Sequence, residues 1–212
     1  MSGKAFGLIL SGTALAAAAG AVLGLDLPGY ASRFAASSST SQLLISVPGP
    51  FLGALLGCRH RRGNAGSDAR LLARATGLAV GLAAAGLAAS TAVVALTAAE
   101  PGPAHWGRAP EVAAGAVAVQ VVAMLTGTGF GLLSGRPILA SVLTIAAPMS
   151  VLFVLGAVAP DARAWLTPSP TAQRLVAGDW DRSILGPWLT VVALWGAALN
   201  VAGFSVARRS RP

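Results

Sequence analysis

Six long apolar stretches constrain the fold of this chain more than any other feature of its sequence. None of them contains Asp, Glu, Lys, Arg or His. A helix needs about 20 apolar residues to cross a hydrocarbon core of roughly 30 Å. The pattern therefore predicts an all-α integral membrane protein with six transmembrane helices, forming a single domain over residues 1–212. The predicted spans are residues 5–25, 43–58, 75–96, 112–133, 138–159 and 184–206.

The composition supports a membrane protein and excludes several other classes. Only 10% of the residues are charged and 55% are hydrophobic, whereas soluble domains carry about 25% charged residues. A soluble domain with this composition could not cover its surface with polar groups. The same apolar excess argues against disorder, and the single Cys58 excludes a disulfide scaffold. Arginine greatly outnumbers lysine and Ala and Gly abound, which indicates a GC-rich bacterial genome.

Two of the predicted spans leave alternatives open. Residues 43–58 are short and contain Pro48 and Pro50. They can cross if the tilt is small, the bilayer thins locally, or residues 37–42 extend the helix. Residues 5–25 follow Lys4 and include small residues, as a secretory signal peptide would. The length of this apolar run favours an uncleaved span, since its removal would leave an odd number of spans.

The basic residues of the connections predict the orientation, because cytoplasmic loops of membrane proteins are rich in Lys and Arg. Placing both termini in the cytoplasm puts twice as many basic residues inside as outside. The inside set is Lys4, Arg59, Arg61, Arg62, Arg70, Arg74, Arg136, Arg208, Arg209 and Arg211, and the outside set is Arg33, Arg108, Arg163, Arg174 and Arg182. This topology predicts an outer aromatic belt of Trp106, Trp165, Trp180 and Trp188. The basic residues lie in connections between apolar spans and form no soluble basic face. The sequence therefore predicts no nucleic-acid partner, despite its net charge of +8.

Glycines recur at intervals of four residues within several predicted spans. Membrane helices associate through close packing, which small residues allow. The repeats therefore predict tight contacts between helices, within one chain or across a dimer. The residues are Gly49, Gly53 and Gly57, then Gly127, Gly131 and Gly135, and the pair Gly77 and Gly81.

The few polar side chains inside the predicted spans include Gln120, Thr126, Thr128 and Asn200. Lipid cannot satisfy such groups, so they face protein or a cavity. They are candidates for a substrate path, and the alternative is that they only join helices by hydrogen bonds.

No residue is predicted to be catalytic, to bind a cofactor or to ligate a metal. His60 and His105 fall on opposite sides of the membrane in the predicted topology. The sequence contains no metal-binding cluster of Cys and His and no nucleotide-binding loop. Any ATP hydrolysis would therefore take place on a partner subunit, and the chain itself is not expected to be an enzyme.

Four short stretches resemble the permease subunits of bacterial ABC-2 type exporters. The first is Phe-Leu-Gly-Ala-Leu-Leu-Gly at residues 51–57, followed by Arg-Arg-Gly at 61–63. The second is Gly-Phe-Gly-Leu-Leu at 129–133, just before Arg136 and Pro137. The others are residues 166–168 with 172–178, and the basic end at residues 204–209.

This resemblance implies a permease that forms the substrate path of an exporter in a bacterial plasma membrane. It implies separate ABC ATPase subunits that hold the ATP, a second copy or a homologous permease, and contact with membrane lipid. The loop that couples to the ATPase would contain Arg59, His60, Arg61, Arg62 and Arg70. The alternative is a non-transporting membrane protein, such as an immunity or assembly partner, that keeps the permease fold.

Overall fold

The computed structural model describes residues 34–63, 67–97 and 106–209 of the 212-residue chain. The described part is helical and contains no strand. Its helices are α1 (Phe34–Ser46), α2 (Pro48–Arg62), α3 (Asp68–Thr97), α4 (Ala109–Ser134), α5 (Pro137–Val158), α6 (Pro160–Leu166), α7 (Pro168–Val176), α8 (Arg182–Val191) and α9 (Leu199–Arg209). A π-helical segment, Val192–Ala198, joins α8 directly to α9.

Four of these helical stretches are long and apolar enough to cross a membrane. They are α3 over Asp68–Leu96, α4, α5, and the continuous stretch from α8 to α9, Arg182–Arg209. They correspond to the third, fourth, fifth and sixth spans expected from the sequence. The described residues are thus all-α, as predicted, and their four long apolar helices fit a membrane protein. The first predicted span, residues 5–25, lies outside the described residues.

The second predicted span falls on a break between two helices. Pro48 and Pro50 have no N–H group and cannot continue the hydrogen-bond ladder of α1. The ladder therefore ends at Ser46, and α2 begins one residue after Val47. With 13 and 15 residues, neither helix alone has the length that a span needs. Val47 keeps a right-handed helical backbone, with φ −66° and ψ −51°, so the chain is not reversed at the break.

Helix α4 is the centre of the bundle. It contacts α1, α2, α3, α5, α7, α9 and the π-helical segment. In its most apolar 18-residue window, 67% of the residues are buried, compared with 11% in α5. Helix α5 therefore presents most of its apolar surface outward, where a membrane protein meets lipid or another subunit.

Helices α2 and α4 run in the same direction with their backbones in contact. A Cβ atom placed on Gly53 or Gly57 would overlap a backbone oxygen of α4. A Cβ atom on Gly127 or Gly131 would overlap a backbone oxygen of α2. Only glycine permits this approach, so the two glycine repeats face each other across one contact, which we call the α2–α4 seam.

The remaining repeat glycines have other environments. Gly49 is less crowded, with its Cβ position 3.4 Å from Gln120 Oε1. Gly135 ends α4 in the left-handed region, at φ 64°, which favours glycine at this position. On α3, a Cβ atom on Gly77 or Gly81 would have nothing within 4 Å. These two glycines therefore make no close contact with another described helix.

Charge is divided unequally between the two ends of the described bundle. The C-terminal ends of α2, α4 and α9 meet the first turns of α3 and α5. This arginine-rich end carries eight arginines and the single carboxylate of Asp68 within the described residues. At the opposite end, four arginines are balanced by four carboxylates. The eight arginines are Arg59, Arg61, Arg62, Arg70, Arg74, Arg136, Arg208 and Arg209.

Candidate functional site

A cavity of about 260 Å³ lies between α4, α5 and the connection from α5 to α8. Helix α4 forms its inner wall and α7 covers it on the side opposite the arginine-rich end. The lining residues are Ser46, Pro50, Val119, Val122, Ala123, Thr126, Thr144, Pro148, Met149, Leu152, Thr167, Pro168, Ser169, Ala172 and Trp188.

Interrupted helices surround this cavity. Pro50 follows the break between α1 and α2, and Pro148 lies inside α5. Pro148 has no N–H group to donate to the carbonyl of Thr144, which also lines the cavity. At membrane depth, such backbone irregularities are tolerated where the chain is buried in protein or lines a cavity. Their position around one cavity makes it the leading candidate for a binding site.

The polar side-chain groups of the cavity are five hydroxyls and the indole N–H of Trp188, and none of its lining residues is ionisable. Thr126 Oγ1 donates to the Val122 carbonyl at 2.8 Å. Thr144 and Thr167 likewise donate to carbonyls of their own segments, each at 2.7 Å. Because these three hydroxyl protons are engaged, the three threonines face the cavity mainly as weak acceptors. The cavity is thus uncharged and largely apolar.

Trp188 is a cavity residue, and its assignment to an outer aromatic belt was wrong. Its side chain is only 6% exposed and packs in the main hydrophobic core. The belt requires a ring at the membrane surface, whereas α8 turns this ring inward against α4 and α7. Trp165 and Trp180, with 49% and 37% exposure, do lie at the surface of the described bundle.

Of the four side chains predicted to line a substrate path, only Thr126 reaches the cavity. Thr128 lies in the α2–α4 seam and donates to the Met124 carbonyl at 2.9 Å. Asn200 Nδ2 donates to the carbonyls of Leu125, at 2.8 Å, and Gly196, at 2.6 Å. In the structure, Thr128 and Asn200 therefore bond within and between helices.

Gln120 forms a buried amide pair with Gln42, a residue that the sequence analysis did not select. Gln120 Nε2 lies 3.2 Å from both the backbone oxygen and Oε1 of Gln42. Gln42 Nε2 in turn donates to the Ala83 carbonyl at 2.9 Å. The pair joins α1, α3 and α4. Gln42 was overlooked because it precedes the second apolar stretch by one residue, although its amide beside an apolar run was a usable signal.

At the arginine-rich end, Arg61 and Arg62 are bound to the end of α4. Arg61 Nη1 donates to the carbonyls of Leu132, at 3.1 Å, and Leu133. Arg62 Nε donates to the Gly135 carbonyl at 3.1 Å. The last carbonyls of a helix have no partner within it and carry partial negative charge, which the guanidinium groups neutralise. Among the residues of the predicted coupling loop, Arg59, Arg62 and Arg70 are exposed, and Arg59 and Arg70 make no such bond to α4.

His60 belongs to a separate polar group that joins three helices. Its Nε2 lies 3.0 Å from Asp68 Oδ1, and Arg208 Nη2 lies 2.6 Å from Asp68 Oδ2. The imidazole is 5% exposed and meets the Phe204 ring edge to face. His60 therefore connects α2 to α3 and α9 and does not present its ring to a soluble partner. His105 lies outside the described residues.

Two acidic residues of the connection between α5 and α8, Asp179 and Asp181, have local partners. Arg174 pairs with Asp179 at 2.7 Å. The Ser183 hydroxyl donates to Asp181 at 2.8 Å, and this hydrogen bond lowers the pKa of the exposed Asp181 carboxyl. The carboxylates of Asp179 and Asp181 therefore stabilise the local structure of this connection.

Within the part of the chain that the structure describes, no three His, Cys, Asp or Glu side chains are grouped so as to hold a metal ion. Comparisons with protein-family models, curated proteins and solved structures found no significant match. The cavity and the arginine-rich end are therefore the two features from which a function can be inferred.

Proposed function

We propose that this chain is the membrane-spanning permease subunit of an ATP-driven exporter of the ABC-2 type in a bacterial plasma membrane. In this proposal the cavity takes the substrate, and separate ATPase subunits bind the arginine-rich end. The supporting observation is the cavity among interrupted helices at membrane depth. Membrane transporters typically bind their substrates near the midplane between discontinuous helices.

The lining of the cavity favours an apolar or amphipathic substrate. Its walls are aliphatic and aromatic, and its hydroxyls offer weak hydrogen-bond acceptors. A permanent charge would lose its hydration there without finding an opposite charge, which is costly. We therefore infer that a charged group of the substrate, if one is present, remains outside the cavity.

The α2–α4 seam offers a route for mechanical coupling. Helix α2 carries Arg59 at the arginine-rich end, and Pro50 of the same segment lines the cavity. Because the glycine contacts hold α2 and α4 backbone against backbone, a displacement of one helix carries the other. Closure of an ATPase against this end would thus move the cavity wall as a rigid body.

Two irregular segments could absorb such a movement. One is the break at Val47, and the other is the π-helical segment Val192–Ala198. The carbonyl of Trp195, inside the π-helical segment, lies 3.4 Å from Thr126 Oγ1, which lines the cavity. Because of this contact, a change in the π-helical segment would displace the cavity wall directly. Such π-helical turns occur frequently at functional sites.

Purification of the tagged chain from its native host in mild detergent, followed by native mass spectrometry, tests the proposal. We expect two permease chains, identical or homologous, together with two ATPase chains. Purification of the chain alone, or with a partner that is not an ATPase, would rule out the exporter proposal and favour a non-transporting membrane protein.

The docking surface is tested by charge reversal at exposed arginines. Arg59→Glu with Arg70→Glu should abolish stimulation of the ATPase by the permease. Arg108→Glu with Arg182→Glu reverses two exposed arginines at the opposite end of the bundle and serves as the matched control. Arg61 and Arg62 are unsuitable here, since their replacement also removes hydrogen bonds to α4. Equal ATPase stimulation by the Arg59 and Arg70 variant and the control would count against docking on this loop.

A further inference from the structure

A second cavity lies at the arginine-rich end, beside the turn between α4 and α5. It has a volume of about 500 Å³. Its lining residues are Arg61, Arg62, Ser134, Gly135, Arg136 and Leu139. Three guanidinium groups thus surround one opening. The exporter function proposed above uses this end only as a surface for the ATPase and assigns the cavity itself no ligand.

The positive charge of this cavity is not neutralised by the described residues. No carboxylate lines it, and the carboxylate of Asp68 is engaged by His60 and Arg208. Arg61 and Arg62 each use one nitrogen for carbonyls of α4 and retain further N–H groups. The Arg136 guanidinium makes no hydrogen bond within the part of the chain that the structure describes. The site therefore offers several charged donors to an anion with several oxygen atoms, such as a phosphate group.

Apolar surface adjoins these donors directly. Leu139 lines the cavity and is 44% exposed, and the neighbouring Ile138 is 83% exposed. Val142 and Ile145 continue this exposed surface along α5, each at 54%. A groove of about 340 Å³ runs between Phe51 and the beginning of α5. Apolar surface beside a cluster of arginines matches a ligand with a charged head and hydrocarbon chains.

We propose that this cavity binds the phosphate headgroup of an anionic phospholipid, whose acyl chains lie along α5. A soluble phosphate compound would use the arginines but leave the adjoining apolar surface uncovered. An anionic lipid satisfies both features, and its headgroup is held at the level of the α4–α5 turn. This binding site is independent of the exporter function and would serve equally in a non-transporting protein.

Native mass spectrometry of the delipidated full-length protein tests the site by titration with phosphatidylglycerol or phosphatidylcholine. We expect one phosphatidylglycerol molecule to bind more tightly than phosphatidylcholine, which carries no net charge. Arg136→Gln should weaken phosphatidylglycerol binding about fivefold, the effect of roughly one arginine at an anionic surface. Arg136→Lys should restore part of the affinity. Arg74→Gln removes an exposed arginine of α3 that does not line the cavity and should leave the affinity unchanged.

Equal binding of the two lipids, or equal losses in Arg136→Gln and Arg74→Gln, would overturn the proposal. Inorganic phosphate provides a further test with the wild-type protein alone, which does not depend on the folding of any variant. We expect millimolar phosphate to leave the bound phosphatidylglycerol in place. Displacement of the lipid by phosphate at this concentration would identify a site for soluble phosphate and reject the lipid.

Discussion

Replacement of Gly127 by alanine perturbs the α2–α4 seam by a single methyl group. The added Cβ atom would overlap the carbonyl oxygen of Pro50, and the nearest carbon atoms of that residue would lie 2.7 and 2.8 Å away. Because the obstructing atoms belong to a backbone, no side chain can rotate to make room. Helices α2 and α4 must separate, and the contacts along the whole seam are weakened.

The structure allows the size of this effect to be estimated. An extra methyl group in a closely packed interior costs about 1–3 kcal/mol. Alanine favours the helix over glycine by about 1 kcal/mol, which offsets part of that cost. We expect Gly127→Ala to lower the free energy of unfolding by about 0–2 kcal/mol, which is about 1–3 kcal/mol less stable than a helix glycine replaced at an uncrowded position. In lipid there is little hydrophobic drive to hold separated helices together, so the lost packing is not regained elsewhere.

Gly77 on α3 provides a matched control, because a Cβ atom there would meet nothing within 4 Å. Gly77→Ala should leave the stability unchanged or raise it by up to about 1 kcal/mol through helix propensity. Unfolding of both variants can be followed by circular dichroism in detergent micelles titrated with a denaturing detergent. A second seam variant, Gly53→Ala, should lower the free energy of unfolding less when combined with Gly127→Ala than on its own, since the helices are then already apart.

The reasoning is refuted if Gly127→Ala is as stable as Gly77→Ala. It is refuted equally if the effects of Gly53→Ala and Gly127→Ala are simply additive, because two obstructions of one rigid seam must interact. Either result would mean that the seam yields locally and does not transmit movement between the arginine-rich end and the cavity.

Three other expectations follow from the contacts. Gln42→Leu and Gln120→Leu should each destabilise the bundle by about 0.6–1.7 kcal/mol. Equilibrium unfolding should show that the double variant loses less stability than the sum of the two single losses. Strict additivity would contradict the buried pair. Asp68→Asn should lower stability by less than about 1 kcal/mol, an effect that shrinks with added salt; a loss that is independent of salt would argue against the ion pair. Ala123→Phe should fill the cavity and prevent quenching of Trp188 fluorescence by a brominated alkane. Trp188→Phe identifies the contribution of Trp188 to the fluorescence, and unchanged quenching in Ala123→Phe would place the ligand elsewhere.

The membrane character of the chain could be predicted from the sequence because charge is excluded from each long apolar stretch. Four stretches accordingly coincide with helices long enough to cross a membrane. The stretch at residues 43–58 was harder to interpret, because Pro48 and Pro50 interrupt the hydrogen-bond ladder without reversing the chain. Hydropathy counts apolar residues and is insensitive to such a break.

The glycine repeats show what spacing alone can and cannot predict. Repeats at four-residue intervals indicated close packing, and the same signal occurred on α2, α3 and α4. Only the assembled bundle distinguishes Gly53 and Gly127, where two backbones touch, from Gly77, where a Cβ atom would meet nothing. The partner of a helix face depends on how all the helices pack, and the local sequence does not encode it.

The polar residues follow the same division. That Gln120, Thr126 and Asn200 are shielded from lipid follows from the sequence, since unsatisfied polar groups are costly there. Tertiary structure decided which of them meets a protein partner and which meets the cavity: Gln120 bonds to Gln42, 78 residues away, and only Thr126 lines the cavity. The physical reason is that burial is a requirement of each residue alone, whereas a partner or a cavity is created by helices distant in sequence.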